Sequence, residues 1–373
     1  MGTVPLAPAR VGAAHRAVPV PPAAKTPSSA PTFVRVHAPD HYGNIPTVYG
    51  DVVIWNGSIS NPHWQPQRNS AVLYSVLYAA SLTTGRIRQI AHTPPPLLSY
   101  NLMLSSARWL SWLEYNSDTG VWRLMATDRH GGAPFVVDSS ALEGGPSLAP
   151  QLFPYSSLDG DTLAWSYSAS TGHGPGTTGV RVTTLPHGPV RLLARTTFPQ
   201  CSLDLPSISR QRVAWDELGG CVGPRGRSDI ILADLRTGRQ TRLTHDHRSS
   251  EPALSGDLLA YKGNSPRFAE GVILLRDLRT GRERVVDGGG YAGTPHLTDR
   301  LVVWQTTIPS AFLAQDLRTL RRYVLVQESP DGARQLVLTG ALGQAWHDEV
   351  PFSEGFGTEG TVHSAEIVVA HVP

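Results

Sequence analysis

The sequence predicts an all-β chain folded as a seven-bladed β-propeller of four-stranded antiparallel blades. Three observations predict it: a hairpin that recurs and closes on a large aromatic, a second hairpin behind each one, and a regular distance between the units. A single β-sandwich accounts for neither the period nor the fixed aromatic. Six blades are the alternative count.

The first hairpin reads Pro46-Thr-Val-Tyr-Gly-Asp-Val-Val-Ile-Trp55. It returns as Pro206-Ser-Ile-Ser-Arg-Gln-Arg-Val-Ala-Trp215, Pro252-Ala-Leu-Ser-Gly-Asp-Leu-Leu-Ala-Tyr261 and Pro295-His-Leu-Thr-Asp-Arg-Leu-Val-Val-Trp304. Weaker copies end at Trp112 and Trp165, and a seventh, with one residue inserted, ends at Trp346. Each is a short strand, a two-residue polar turn such as Gly256-Asp257, and an apolar strand. The closing aromatics are therefore Trp55, Trp112, Trp165, Trp215, Tyr261, Trp304 and Trp346, spaced by 57, 53, 50, 46, 43 and 42 residues.

The second hairpin is clearest in Asp229-Ile-Ile-Leu-Ala-Asp-Leu-Arg-Thr-Gly-Arg-Gln-Thr-Arg-Leu-Thr244, and the segment from Gly271 to Val286 repeats it. Gly85, Gly238 and Gly281 fall where this turn needs a left-handed backbone. The last unit supplies strands at Gln335–Thr339, Leu342–His347 and Ala365–Val372. The lone strand Thr32–His37 then serves as its fourth, closing the ring and removing an open edge.

These repeats resemble the TolB-like (WD-repeat-like) bacterial β-propeller family. The resemblance rests on Gly50-Asp-Val-Val-Ile-Trp55, on Asp229–Leu235 with Thr237-Gly238, and on Leu243-Thr244. It covers residues 32–373, and it is a likeness of the repeat. It implies the propeller fold, and by analogy a setting outside the cytoplasmic membrane in contact with proteins or polymers.

Composition narrows the function. The chain has 373 residues and a net charge of +2, so no global field draws it to nucleic acid or an anionic membrane. Charged residues make up 17%, against about 25% for an ordinary domain. The 36 Gly and 31 Pro fit a chain rich in turns. No stretch approaches the ~20 apolar residues of a membrane span. Residues 1–31 read as a Pro/Ala-rich disordered segment and 32–373 as the propeller domain. No clear signal peptide stands at the start. Two readings stay open there: a flexible tail, or the stretch behind an export signal or anchor.

Long loops between second and third strands share one rim of the ring, the usual place for binding groups. They carry His63, Trp64 and Arg68, then His173, then Glu217, Cys221 and Arg225, and finally Phe352, Glu354, Phe356 and His363. Just past the closing aromatics lie Asn56, Glu114, Asp216, Lys262, Gln305 and His347. Asp204 and Glu251 open inner strands. The candidate ligand-binding set is Asn56, His63, Trp64, Glu114, Asp216, Glu217, Glu251, Lys262, Gln305, His347, Phe352 and Phe356. Ring closure would make the loops around Trp64 and Phe356 neighbours in a shared aromatic patch.

Chemistry finds less support. No Gly-x-Ser-x-Gly elbow and no phosphate-binding Gly loop occurs. His245-Asp-His247 and Asp159-Gly-Asp161 are thin metal candidates, better read as solvated loop and turn. No catalytic residue, metal or cofactor is assigned. The expectation is a monomeric, non-enzymatic, extracytoplasmic module that binds a protein or polysaccharide partner through its loop-bearing face. The alternative is a carbohydrate-active enzyme, a glycoside hydrolase or lyase, with its acids at the channel mouth. Two carboxyls ~5–10 Å apart in a deep pocket would favour that alternative.

The two cysteines fall opposite each other in one hairpin. Its turn centres on Arg210 and Gln211, so facing numbers sum to 421, whereas Cys201 and Cys221 sum to 422. One bulged residue absorbs the difference. A disulfide is expected, and with it an oxidising compartment.

Overall fold

Antiparallel pairing divides the computed structural model into seven separate four-stranded sheets, the blades of a propeller. The structure describes residues 30–37, 43–60, 72–92, 99–116, 119–142, 154–169, 175–198, 200–219, 227–265, 268–287, 293–307, 310–327, 336–337, 344–358 and 361–373. No helix occurs among them.

The chain starts with β1 (Thr32–His37). Blade 1 follows as β2 (Gly43–Tyr49), β3 (Val52–Ser60), β4 (Val72–Ser81) and β5 (Ile87–His92). Blade 2 is β6 (Ser99–Ser105), β7 (Trp109–Tyr115), β8 (Trp122–Asp128) and β9 (Phe135–Ser139). Blade 3 is β10 (Ser156–Asp159), β11 (Thr162–Ala169), β12 (Gly176–Thr184) and β13 (Arg191–Phe198). Blade 4 is β14 (Cys201–Ser209), β15 (Arg212–Gly219), β16 (Arg227–Asp234) and β17 (Gln240–Arg242). Blade 5 is β18 (Ser250–Ser255), β19 (Leu258–Ser265), β20 (Phe268–Asp277) and β21 (Glu283–Asp287). Blade 6 is β22 (Gly293–Leu297), β23 (Leu301–Thr307), β24 (Ser310–Asp316) and β25 (Arg322–Gln327). Blade 7 joins β26 (Leu336–Val337), β27 (Glu349–Thr358) and β28 (Thr361–His371) to β1.

The closing strand lies where the sequence puts it. β1 pairs with β28 from Thr32–His371 to His37–Glu366, and Arg35 meets Glu366 at 2.9 Å. Seven clusters of buried apolar side chains, one at each blade interface, form the core. The blades thus bury apolar side chains of both faces against their neighbours. Trp55, Trp112, Trp165, Trp215 and Trp304 are fully buried in these clusters.

The turn of the second hairpin explains its own sequence. Asp277 Oδ1 accepts from the N–H groups of Arg279 and Thr280, while Gly281 N–H donates to Asp277 O at 2.8 Å. Gly281 takes φ 71°, the left-handed value that glycine adopts without strain. Asp234 and Asp316 build the same turn.

The seventh unit departs from the sequence reading. Its second strand is Glu349–Thr358, and Phe352 occupies the place that Trp304 has in Leu301–Thr307. Trp346 lies outside β26 in an isolated bridge, exchanging backbone hydrogen bonds with Glu349, and its ring packs tilted against Tyr49 of blade 1 at 4.7 Å. Phe352 is accordingly a core side chain at 0% exposure, not a loop residue. His347 falls in the tight turn between the first two strands, on the rim opposite the long loops. A search keyed on tryptophan stops six residues short of the phenylalanine that does the packing.

Candidate functional site

A bulge in the innermost strand sets the geometry of the channel mouth. Pairing in blade 4 jumps from Ser207–Ala214 to Asp204–Asp216, leaving Leu205 and Pro206 opposite one residue of β15. The same two-for-one step occurs in blades 1, 2, 5 and 6. Leu102, Leu205 and Glu251, the first bulged residues of their strands, have φ of 49°, 47° and 56°. Pro46, Pro206, Pro252 and Pro295 follow as second bulged residues, a place where a missing N–H breaks no ladder bond. The bulge also corrects the cysteine register. Its extra residue lies in β14 rather than β15, so Cys201 faces Gly219. Cys221 lies outside the described residues.

In blades 1, 3 and 4 the residue after the closing aromatic reaches the next blade's bulged strand. Asn56 Nδ2 donates to Tyr100 O at 2.7 Å, and Asn56 is fully buried. Ser166 Oγ donates to Asp204 Oδ1 at 3.0 Å. Asp216 accepts Glu251 N–H on both carboxylate oxygens, at 2.9 and 3.0 Å. Polar residues beside the channel therefore tie successive blades together.

Blades 3 to 5 gather a cluster of acids there. Asp204 and Asp216 face each other in register, 8% and 1% exposed. Burial pushes Asp204 up to about 6, against the N–H of Leu205 and the Ser166 hydroxyl, which favour ionisation. Burial also drives Asp216 well above the carboxylate range, opposed by Glu251 N–H and reinforced by the charges of Asp204 and Glu251. Tyr155, half-buried, rises to about 12 through desolvation and the charges of Asp204 and Glu251. Lys262 approaches Glu251 at 3.5 Å and is the cation of the group. Gln305 faces Gly293 in the corresponding place of blade 6 and is half-buried.

The other candidates lie elsewhere. Glu114 accepts from Trp112 Nε1 at 3.2 Å and pairs with Arg123 at 2.6 Å, in the interior of blade 2 rather than at the mouth. Glu217 meets Arg242 at 2.8 Å, and Arg242 also holds Asp229 at 2.9 Å. Asp229 titrates below the usual range, because hydrogen bonds from His247 and Arg242 outweigh its burial. His247, one end of the thin metal candidate, thus has its Nδ1 engaged by Asp229 at 2.9 Å. His347 Nδ1 meets Asp299 at 2.8 Å on the opposite rim. His63 and Trp64 lie outside the described residues, as does the Phe356 side chain, and with them the aromatic patch. Sequence reasoning missed Ser166 and Tyr155. The signal for Ser166 was its place immediately after Trp165.

No family model matches the chain, and no curated protein sequence matches it. Solved structures match its fold. The β-propeller domain of the trilobed protease from Pyrococcus furiosus superposes with a TM-score of 0.60 at 9% identity, over 89% of this chain and 94% of that one. An oligogalacturonate lyase in complex with manganese gives 0.58 at 11%, over 92% and 97%. TolB from Acinetobacter baumannii gives 0.46 at 12%, over 88% and 78%. The chain spans about half the length of the prolyl endopeptidase and acylaminoacyl peptidase chains that it also matches. The protein is a seven-bladed β-propeller, a fold that carries many functions.

Proposed function

We propose that the chain is a non-enzymatic, extracytoplasmic binding propeller of TolB-like type, whose long-loop face receives a protein or polysaccharide. The observation that carries this reading is the use made of its acids. Asp216 caps the Glu251 N–H, Glu114 caps an indole, and Glu217 is paired with arginine. Acid–base catalysis needs carboxyls turned to a cavity; Asp216 and Glu114 are committed to joining strands and blades, and Glu217, which borders a groove, is held by Arg242. The extracytoplasmic setting rests on the repeat's resemblance to TolB-type propellers, and a disulfide between Cys201 and Cys221 would be its chemical signature. Alkylation and intact mass of protein from its own cells tests it. Two free thiols would overturn it.

A second reading, a carbohydrate-active enzyme, is favoured by one observation: Asp204, near 6, stands beside Asp216 at the channel mouth. Affinity electrophoresis in soluble polysaccharides, oligogalacturonates among them, separates the two. Retardation without new reducing or unsaturated ends is expected. New ends that vanish in Asp204→Asn would replace the binding reading with the enzymatic one.

A further inference from the structure

Blade interfaces treat the indole of the second strand unequally. Trp165 Nε1 donates to Asp138 at 2.7 Å, and Trp304 Nε1 donates to Asp287 at 2.7 Å. Both acids hold one register position on the preceding blade's outer strand, Asp138 facing Leu124 and Asp287 facing Ile273. A guanidinium completes each carboxylate: Arg181 at 3.2 Å and Arg322 at 3.5 Å. Between blades 3 and 4 the same position, facing Val180, is Ala194. Trp215, the indole of that interface, is 1% exposed, and its Nε1 has no acceptor among the described residues. Glu217 stands two residues past Trp215, as Glu114 stands past Trp112. Yet Arg242 holds Glu217 instead.

Where the aspartate is missing, a groove of ≈ 400 Å³ opens, lined by Ala194, Arg195, Trp215, Glu217 and Arg242. Arg195 touches Thr177 Oγ1 at 3.4 Å and has no acidic partner among the described residues. A buried donor without an acceptor is rare in folded proteins. Among the described residues Trp55 Nε1 and Trp122 Nε1 are in the same state, and of the three it is Trp215 that lines this groove. At the sister interfaces the acceptor is a carboxylate, held by an indole N–H and a guanidinium.

We propose that this groove binds a small carboxylate ligand. Its carboxylate takes the place that Asp138 and Asp287 fill elsewhere, accepting from Trp215 Nε1 with Arg195 as counter-charge. The site is separate from the channel mouth, so its fate is independent of the reading above. Such a carboxylate is carried by an aspartyl side chain or by a uronic acid.

Indole N–H resonances of the full chain test it, with Trp215 assigned through Trp215→Phe. The probes are N-acetylaspartate methylamide and glucuronate, titrated separately. A saturable shift of the Trp215 resonance is expected with at least one, and which one responds distinguishes the two sources. Arg195→Ala should weaken that binding about tenfold. Ala194→Asp should shift the resonance without ligand and abolish the response. Calorimetry on Trp215→Phe, which removes the indole N–H and keeps an aromatic ring of smaller volume, should show the binding lost. A Trp215 resonance indifferent to both probes, or binding that survives in Ala194→Asp or Trp215→Phe, would overturn the proposal.

Discussion

Asp204 and Asp216 are the residues on which pH acts most directly. Asp204 is raised in the folded protein, so the native state holds a proton that the unfolded chain releases near 3.8. Stability is then fully present below that value and is lost as pH rises through about 6. The loss amounts to about 3 kcal/mol for a shift of roughly two units. Urea melts of the wild type and Asp204→Asn at pH 4 and pH 7 check this. The variant should be the more stable protein at pH 7 and gain little at pH 4. Equal differences at both pH values would contradict it. Asp216 makes a different point, because what matters is its acceptor. Asp216→Asn keeps an oxygen for Glu251 N–H and removes a buried titrating group, so it should be no less stable than the wild type at pH 7. Asp216→Ala strands that buried N–H and should cost ~1–3 kcal/mol.

Strands and turns divide into those legible in the sequence and those not. The second hairpin was readable because Asp-Leu-x-Thr-Gly writes out its own hydrogen bonds, Asp277 capping two N–H groups and Gly281 taking the left-handed bend. Gly281→Ala meets no neighbouring atom within 4 Å, so its cost is backbone strain alone, about 1–2 kcal/mol. A thermal melt that matches wild type would contradict that account. The seventh unit was misread because Trp346 mimics a closing aromatic while Phe352 is the real one. The cysteine register was misread because a turn fixes pairing only as far as the first bulge, and nothing near Arg210 says which strand holds the extra residue. Val-Val-Asp138 and Val-Val-Asp287 were visible as strings. Their meaning depends on an indole contributed by the next blade. Asp287→Ala should cost ~1–3 kcal/mol, because the indole N–H of Trp304 then loses its buried acceptor. Chemical denaturation of that variant is the check.

The whole ring depends on one junction. Deleting residues 1–31 should leave the melting temperature unchanged. Deleting 1–40 removes β1 and should lower it sharply, since β28 then loses its pairing from Thr32–His371 to His37–Glu366. Equal melting temperatures for the two truncations would show that the junction contributes nothing. The channel mouth was legible as a list of polar positions, but its character was not. Asn56 and Asp216 looked like ligand contacts, and only the neighbouring blade reveals that each binds backbone.

That junction also shapes the life of the chain before it is folded. Blades 1 to 6 each assemble from neighbouring hairpins and need nothing distant. The seventh cannot be finished until the last strand has been synthesised, although the first strand emerged long before. Throughout that interval β1 waits with its hydrogen-bonding groups unclaimed, and any other unfinished copy offers it the same acceptor edge. At high concentration the expected by-product is a pair of rings that have exchanged their first strands, indistinguishable from the monomer in every blade.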